Sequence, residues 1–210
     1  MTNAIVIKPE DVKRLRDQTG AGIMDCKRAL EEAEGDYEKA ALHLREKGLS
    51  TAAKKADRAA LEGVITSYIH HGSRLGVLVE LSCETDFVAR TEDFQQLARD
   101  VAMQVAGMAP TWVSRDDIPA DVTEAQKRQF AEEAERDGRP ADRIPTIVEG
   151  KLNKWYEAVC LLDQPYRDTD RKVADLITEK IALLGENIRV ARFVRMAVGE
   201  TAASESGEAA

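Results

Sequence analysis

Few residues in this 210-residue sequence are placed to do chemistry together. Cys26, Cys83 and Cys160 lie far apart, and an odd, scattered set argues against a disulfide framework and for a reducing cytoplasm. His70 and His71 are adjacent in an alternating stretch, which sends their side chains to opposite faces and defeats a shared metal site. No histidine stands beside the glycine-rich elbow that presents a serine nucleophile. Gly20-Ala21-Gly22 lacks the third glycine and the preceding strand of a phosphate-cradling loop, and reads as a helix–helix turn. The carboxylates of Glu84 and Asp86 bring no nucleophile, metal set or cofactor cradle with them. The residues therefore offer no active site, no metal and no cofactor, and an interaction protein is the default.

Two short stretches stand out as possible contact points. Cys83-Glu84-Thr85-Asp86-Phe87-Val88-Ala89-Arg90 has neither strong alternation nor turn residues. It is either a connection whose Phe87 plugs the core, or a loop that offers a carboxylate and an aromatic ring to a partner. Ile23 and Met24, beside the glycine turn, can likewise be core or contact residues.

The elements that must position them follow from periodicity. Residues 9–48 read as three short helices, with Pro9 at a first helical position and Glu10 and Asp11 at the positive end of the helix dipole. Thr19 to Gly22 breaks the first helix. Cys26, Ala29, Leu30 and Ala33 form the stripe of the second. Asp36 caps the third, which buries Tyr37, Ala40, Ala41 and Leu44 and stops at Gly48. An alanine-rich, charged segment then reads as a linker with some helical propensity. Val64 to His71 and Leu75 to Ser82 alternate around Gly72-Ser73-Arg74, the pattern of a β-hairpin. Phe94, Leu97, Ala98, Val101, Ala102 and Val105 give a helical stripe, and a short extended piece is expected at Thr111–Val113. Residues 120–137 form a charged, exposed helix. Another helix runs from Pro145 to Val159, and a last one carries Val173, Leu176, Ile177, Ile181 and Leu184. Ile188, Val190, Val194, Met196 and Val198 mark a final strand. The small polar residues 200–210 read as a disordered tail.

Composition narrows the classes. Hydrophobic residues are 43% of the chain and aromatics 5%, so a core exists and is mostly aliphatic. The net charge of −8 excludes a chain-wide basic footprint for nucleic acid. No apolar run approaches the ~18–20 residues that span a bilayer, and Ala4-Ile5-Val6-Ile7 is too short for a signal peptide.

Three stretches, in this order and spacing, resemble the bacterial translation elongation factor Ts family. They are Val12 to Leu30 (VKRLRDQTGAGIMDCKRAL), Thr85 to Arg90 (TDFVAR) and Cys160 to Pro165 (CLLDQP), and the likeness extends over about residues 8–199. The resemblance implies a guanine-nucleotide exchange factor for elongation factor Tu, not an enzyme of bond chemistry. It implies an α+β fold: an N-terminal three-helix module like ubiquitin-associated domains, then an α+β core with a small antiparallel sheet packed with helices. The expected organisation is a docking domain at 1–50, a linker at 51–61, a core and dimerisation domain at 62–199, and the tail. By resemblance, Arg16, Ile23, Met24 and Lys27 dock on the nucleotide-binding domain of the partner. Thr85, Asp86, Phe87 and Val88 insert near its Mg²⁺ site and disturb it.

The chain has room for one core unit, like the short members, and not for the second core copy and protruding coiled coil of the long ones. Pro145 and Met196-Ala197 depart from the usual family pattern at a helix start and in the last strand. With one core unit, the alternating strand at 188–198 leaves a sheet face needing cover, so a symmetric homodimer is expected. The rivals are an enzyme using Glu84 and Asp86, and a ubiquitin-associated-type scaffold, which would leave the β-rich core and its Thr-Asp-Phe-Val loop without a purpose.

Overall fold

A computed structural model describes residues 7–167, 169 and 171–200. Most of the tail read at 200–210 and Ala4–Val6 of the N-terminal apolar run lie outside them. The element order is α1 (Pro9–Thr19), α2 (Ile23–Glu32), α3 (Tyr37–Lys55), β1 (Glu62–Ile69), β2 (Leu75–Cys83), α4 (Asp86–Ala89), α5 (Glu92–Met108), α6 (Ala120–Arg136), α7 (Ile144–Val159), α8 (Val173–Leu184) and β3 (Arg189–Ala197). The fold is α+β, with one three-stranded sheet ordered β1-β2-β3. His70 N–H donates to the Leu75 carbonyl, and Val198 N–H to that of Arg74, so both strand pairs are antiparallel.

The chain forms two compact units from discontinuous segments. One gathers the N-terminal segment through Val64, Leu81–Ala98 and Asp175–Arg189. The other gathers Ile65–Glu80, Arg99–Ala174 and the C-terminal segment from Val190.

In the first unit, α1, α2 and α3 close around Val12, Leu15, Cys26, Ala29, Leu30, Ala40 and Leu44. Gly20 takes the left-handed conformation (φ 66°) and its N–H caps α1 on the Arg16 carbonyl at 2.8 Å. Asp36 caps α3 by accepting from Lys39 N–H at 3.1 Å. The third helix does not stop at Gly48. It carries the chain past residue 50 and takes up 51–55 of the segment read as linker. Gly48 sits inside α3 with an ordinary helical backbone and faces α8: a β-carbon there would lie at normal contact distance from Thr178 (3.8 Å) and Ala182 (3.9 Å). Arg45 of α3 also pairs with Asp175 of α8 at 3.1 Å.

In the second unit the predicted extended piece is a parallel bridge between Trp112 and Cys160. The charged segment at 120–137 is α6, and it packs antiparallel to α7, tied by Lys151 to Glu133 at 2.7 Å. Pro145 falls in the first turn of α7, where its missing N–H costs no helical bond. Beyond the sheet's covered positions, Ile65, Ile69, Leu78, Val194 and Met196 stay 51–70% exposed.

Gly63 is the tightest point of the hairpin. Its φ is 149°, and a β-carbon there would lie 2.1 Å from the Leu81 carbonyl oxygen and 2.8 Å from the Ser82 α-carbon. Both neighbours are backbone and cannot swing aside. Gly63→Ala is expected to remove ~2–4 kcal/mol of stability and lower Tm by roughly 5–15 °C. A thermal melt superimposable on that of the parent chain would contradict this reading of the contact.

Candidate functional site

The segment at 83–90 begins where β2 runs out of ladder. After Cys83 the peptide groups of Glu84 and Thr85 turn to the carboxylate of Glu186, which lies between α8 and β3. Its Oε2 accepts from Glu84 N–H at 3.1 Å and from Thr85 N–H at 3.0 Å, and its Oε1 accepts from the Thr85 hydroxyl at 2.6 Å. The exchange is reciprocal. Glu84 Oε1 accepts from the Asn187 N–H at 2.6 Å, and the Arg58 guanidinium lies 3.5 Å from the same oxygen. The Asn187 amide nitrogen donates to the carbonyls of Ala56 at 3.2 Å and Arg58 at 2.8 Å. Thr85, in extended conformation, is the N-cap of α4, its hydroxyl oxygen accepting from Val88 N–H at 3.4 Å.

The four-residue α4 sorts its side chains by direction. Ala89 is buried, whereas Phe87, two positions and so about 200° earlier around the turn, is 80% exposed. Phe87 is therefore no core plug; Phe94, fully buried one helix later, fills that role. Asp86 pairs with Arg90 one turn on at 2.8 Å, with its carboxylate about half exposed. The site thus offers a bare aromatic ring and a carboxylate on a turn whose base is fixed.

A second exposed group lies in the same compact unit. The turn from Thr19 to Gly22 is tied by the Thr19 hydroxyl donating to the Leu15 carbonyl at 2.7 Å. It delivers Ile23 and Met24 to the start of α2, 55% and 65% exposed, so they are surface and not core. Lys27, one turn on, and Arg16 are also exposed. Lys47 of α3 holds Asp25 at 2.7 Å and keeps that carboxyl below its ordinary range, which pins the first turn of α2.

Glu84, a carboxylate of the rival enzyme reading, is committed to Asn187 and Arg58. Burial, reinforced by the Glu186 charge, pushes the Cys83 thiol up to about 11, and burial takes Cys160 to about 11 as well. Cys26 is also raised by burial. Such thiols are protonated and unreactive near neutral pH. The His70 imidazole lies against the neighbouring Tyr68 hydroxyl, at 2.9 Å. Among the described residues no group of three or more His, Cys, Asp or Glu could hold a metal, and no helix is long and apolar enough to cross a membrane.

The third distinctive stretch, Cys160–Pro165, is a structural node. Gln164 is fully buried, accepts from Gln104 Nε2 at 3.2 Å and donates to the Ala158 carbonyl at 3.2 Å. Asp163 takes a bidentate pair of bonds from Arg115 at 2.6 and 2.9 Å, and that guanidinium holds its carboxyl below the ordinary range.

Sequence reasoning passed over Glu186 and Asn187. Their signal was faint: two polar residues directly after the closing Gly185 and before an apolar strand, where the chain could have stayed apolar.

The family model described as Elongation factor TS matches residues 31–200. Over 190 residues the chain is 57% identical to Elongation factor Ts of Coprothermobacter proteolyticus, covering 90% of this chain and 96% of the relative. It is 54% identical over 196 residues to that of Carboxydothermus hydrogenoformans, covering 93% and 90%. It is 53% identical over 195 residues to that of Fervidobacterium nodosum, covering 92% and 99%. With the three-helix N-terminus, the small antiparallel sheet and the capped Thr-Asp-Phe-Val turn in place, these matches establish that the chain belongs to the elongation factor Ts family of translation elongation factors.

Proposed function

We propose that this chain is a cytoplasmic guanine-nucleotide exchange factor, which binds elongation factor Tu·GDP and speeds GDP release so that GTP can load. The observation that carries the reading is Phe87, 80% exposed at the tip of a turn capped by Thr85. No bond is made or broken by the chain, and it needs no cofactor. It must bind the nucleotide-free partner more tightly than the GDP-bound one, and linkage then makes factor and nucleotide weaken each other. Each tenfold loss of GDP affinity requires about 1.4 kcal/mol of differential binding. Burying the Phe87 ring in a partner pocket supplies roughly 1.5–3 kcal/mol, about one to two such factors. Asp86, released from Arg90, competes for the groups that orient the partner's Mg²⁺ and phosphates, while Thr85 and Val88 give the inserted turn its cap and its shoulder.

The exposed Ile23 and Met24, flanked by Arg16 and Lys27, supply docking on the partner's nucleotide-binding domain. The division of labour is a docking module at the N-terminus and an exchange and dimerisation core from residue 62 on. Stopped-flow release of a fluorescent GDP analogue from elongation factor Tu separates the two. Phe87→Ala and Asp86→Ala are expected to lower the release rate at saturating factor, by roughly ten- to a hundredfold for Phe87, with Tm unchanged. Their effects should not add, because both act on one turn. Met24→Ala is expected to raise the half-saturating concentration and leave the saturated rate alone. Normal exchange by well-folded Asp86 and Phe87 variants would refute the role of this turn.

The same reading includes a symmetric homodimer. Supporting it is the open sheet face with Ile65, Leu78, Val194 and Met196, where Glu80 pairs with Arg192 at 2.7 Å and is already neutralised within the chain. Apolar faces of this kind cover one another about a two-fold axis. Light scattering at micromolar concentration should give twice the 23.2 kDa chain mass, and Leu78→Glu should return it to one chain. A parent protein that scatters as a single chain would sink the dimer.

A further inference from the structure

We propose that Glu186 is the positioning residue of the exchange turn: it fixes the direction in which Phe87 points without itself touching the partner. The inference rests on the exchange reading above and names the part of the chain that makes the turn competent.

A four-residue helical turn cannot hold itself in place. Helix nucleation fixes several dihedrals for one hydrogen bond and is unfavourable in isolation. The orientation of α4 is therefore set by its first peptide groups. Those groups, the N–H of Glu84 and the N–H of Thr85, both end on one carboxylate oxygen of Glu186, and the Thr85 hydroxyl ends on the other. Bonds to an ionised acceptor are stronger than neutral ones, and three on one carboxylate fix both distance and plane. The hydroxyl bond does more. Thr85 has a single hydroxyl proton; committed to Glu186, it leaves a lone pair turned toward the Val88 N–H, which is the cap of α4. Glu186 thus sets the base of the turn and, through one proton, its cap.

Glu186 is itself held. Asn187, next in sequence and buried, bonds the carbonyls of Ala56 and Arg58 and gives its N–H to Glu84. The segment that carries the carboxylate and the segment that receives it clamp one another in both directions. Without the carboxylate, the two N–H groups past the strand end lose their acceptor, and the turn becomes one conformer among several. The partner would then have to order it at the moment of insertion, at an entropic cost per residue.

The test uses the full chain with Glu186→Ala and Glu186→Gln, the second keeping a neutral acceptor so that folding is preserved. Two readouts are taken. In the chain alone, amide hydrogen exchange at Glu84 and Thr85 should speed up by about tenfold or more in Glu186→Ala, with Glu186→Gln between it and the parent. With elongation factor Tu, the saturated rate of GDP release should fall about tenfold in Glu186→Ala, while the half-saturating concentration, set by the N-terminal docking residues, stays within about twofold. Glu186→Gln should recover part of the rate. Unchanged amide protection overturns the proposal, and so does unchanged release in a variant whose amides have loosened. A parent protein that fails to release GDP overturns the exchange reading instead, and the amide readout then still decides whether Glu186 holds the turn.

Discussion

A strand that ends inside a protein must hand its peptide groups to some other acceptor, and the end of β2 faces that requirement directly. The ladder stops at Cys83, and among the described residues no neighbouring strand continues past it. The chain meets the demand with a side chain: one carboxylate takes two backbone N–H groups and a hydroxyl. Because buried N–H groups without partners are costly, this arrangement decides where β2 stops, where α4 starts and which residue of α4 is left facing water. The exposure of Phe87 is the result of a hydrogen-bond account settled at its base.

The second unit solves a similar problem with amides. Gln104 and Gln164 are buried, and each finds its partners, Gln164 bonding the end of α7 as well as Gln104. Arg115 lies 4.4 Å from the centre of the Tyr156 ring and grips Asp163 with two bonds. A distinctive run such as Cys160 to Pro165 invites a functional reading, but Gln164 turns inward to the Ala158 carbonyl and Asp163 is committed to Arg115. Distinctiveness in sequence marks a demanding environment, which can be an exposed turn, as at Phe87, or a polar core, as at Gln164.

The elements were largely legible because their signals are local. The stripes Cys26-Ala29-Leu30 and Phe94-Leu97-Ala98-Val101 are buried as their spacing implies, and so are Val77, Val79 and Leu81 in the hairpin. The glycine at position 20 and the aspartate at 36 cap as their chemistry demands. What escaped depends on residues far along the chain. Gly48 reads as a helix stop on its own, but here it is an interior helical residue whose turn packs beside Thr178 and Ala182 of α8. Whether Phe87 faced in or out could not be read from its neighbours, because its direction is decided by Glu186. The pairing of a carboxylate with two strand-end amides leaves no periodic trace in either segment.

The distance along the chain between Thr85 and its carboxylate has a consequence for biosynthesis. The two are 101 positions apart. At roughly 5–20 residues per second, a growing chain spends about 5–20 seconds with Phe87 already made and Glu186 not yet joined. During that interval the turn has no fixed base, so a prematurely terminated product that retains α1–α3 lacks a set turn. Synthesis past Glu186 is thus the condition for a set turn: only a chain that includes this carboxylate carries Phe87 in a defined direction.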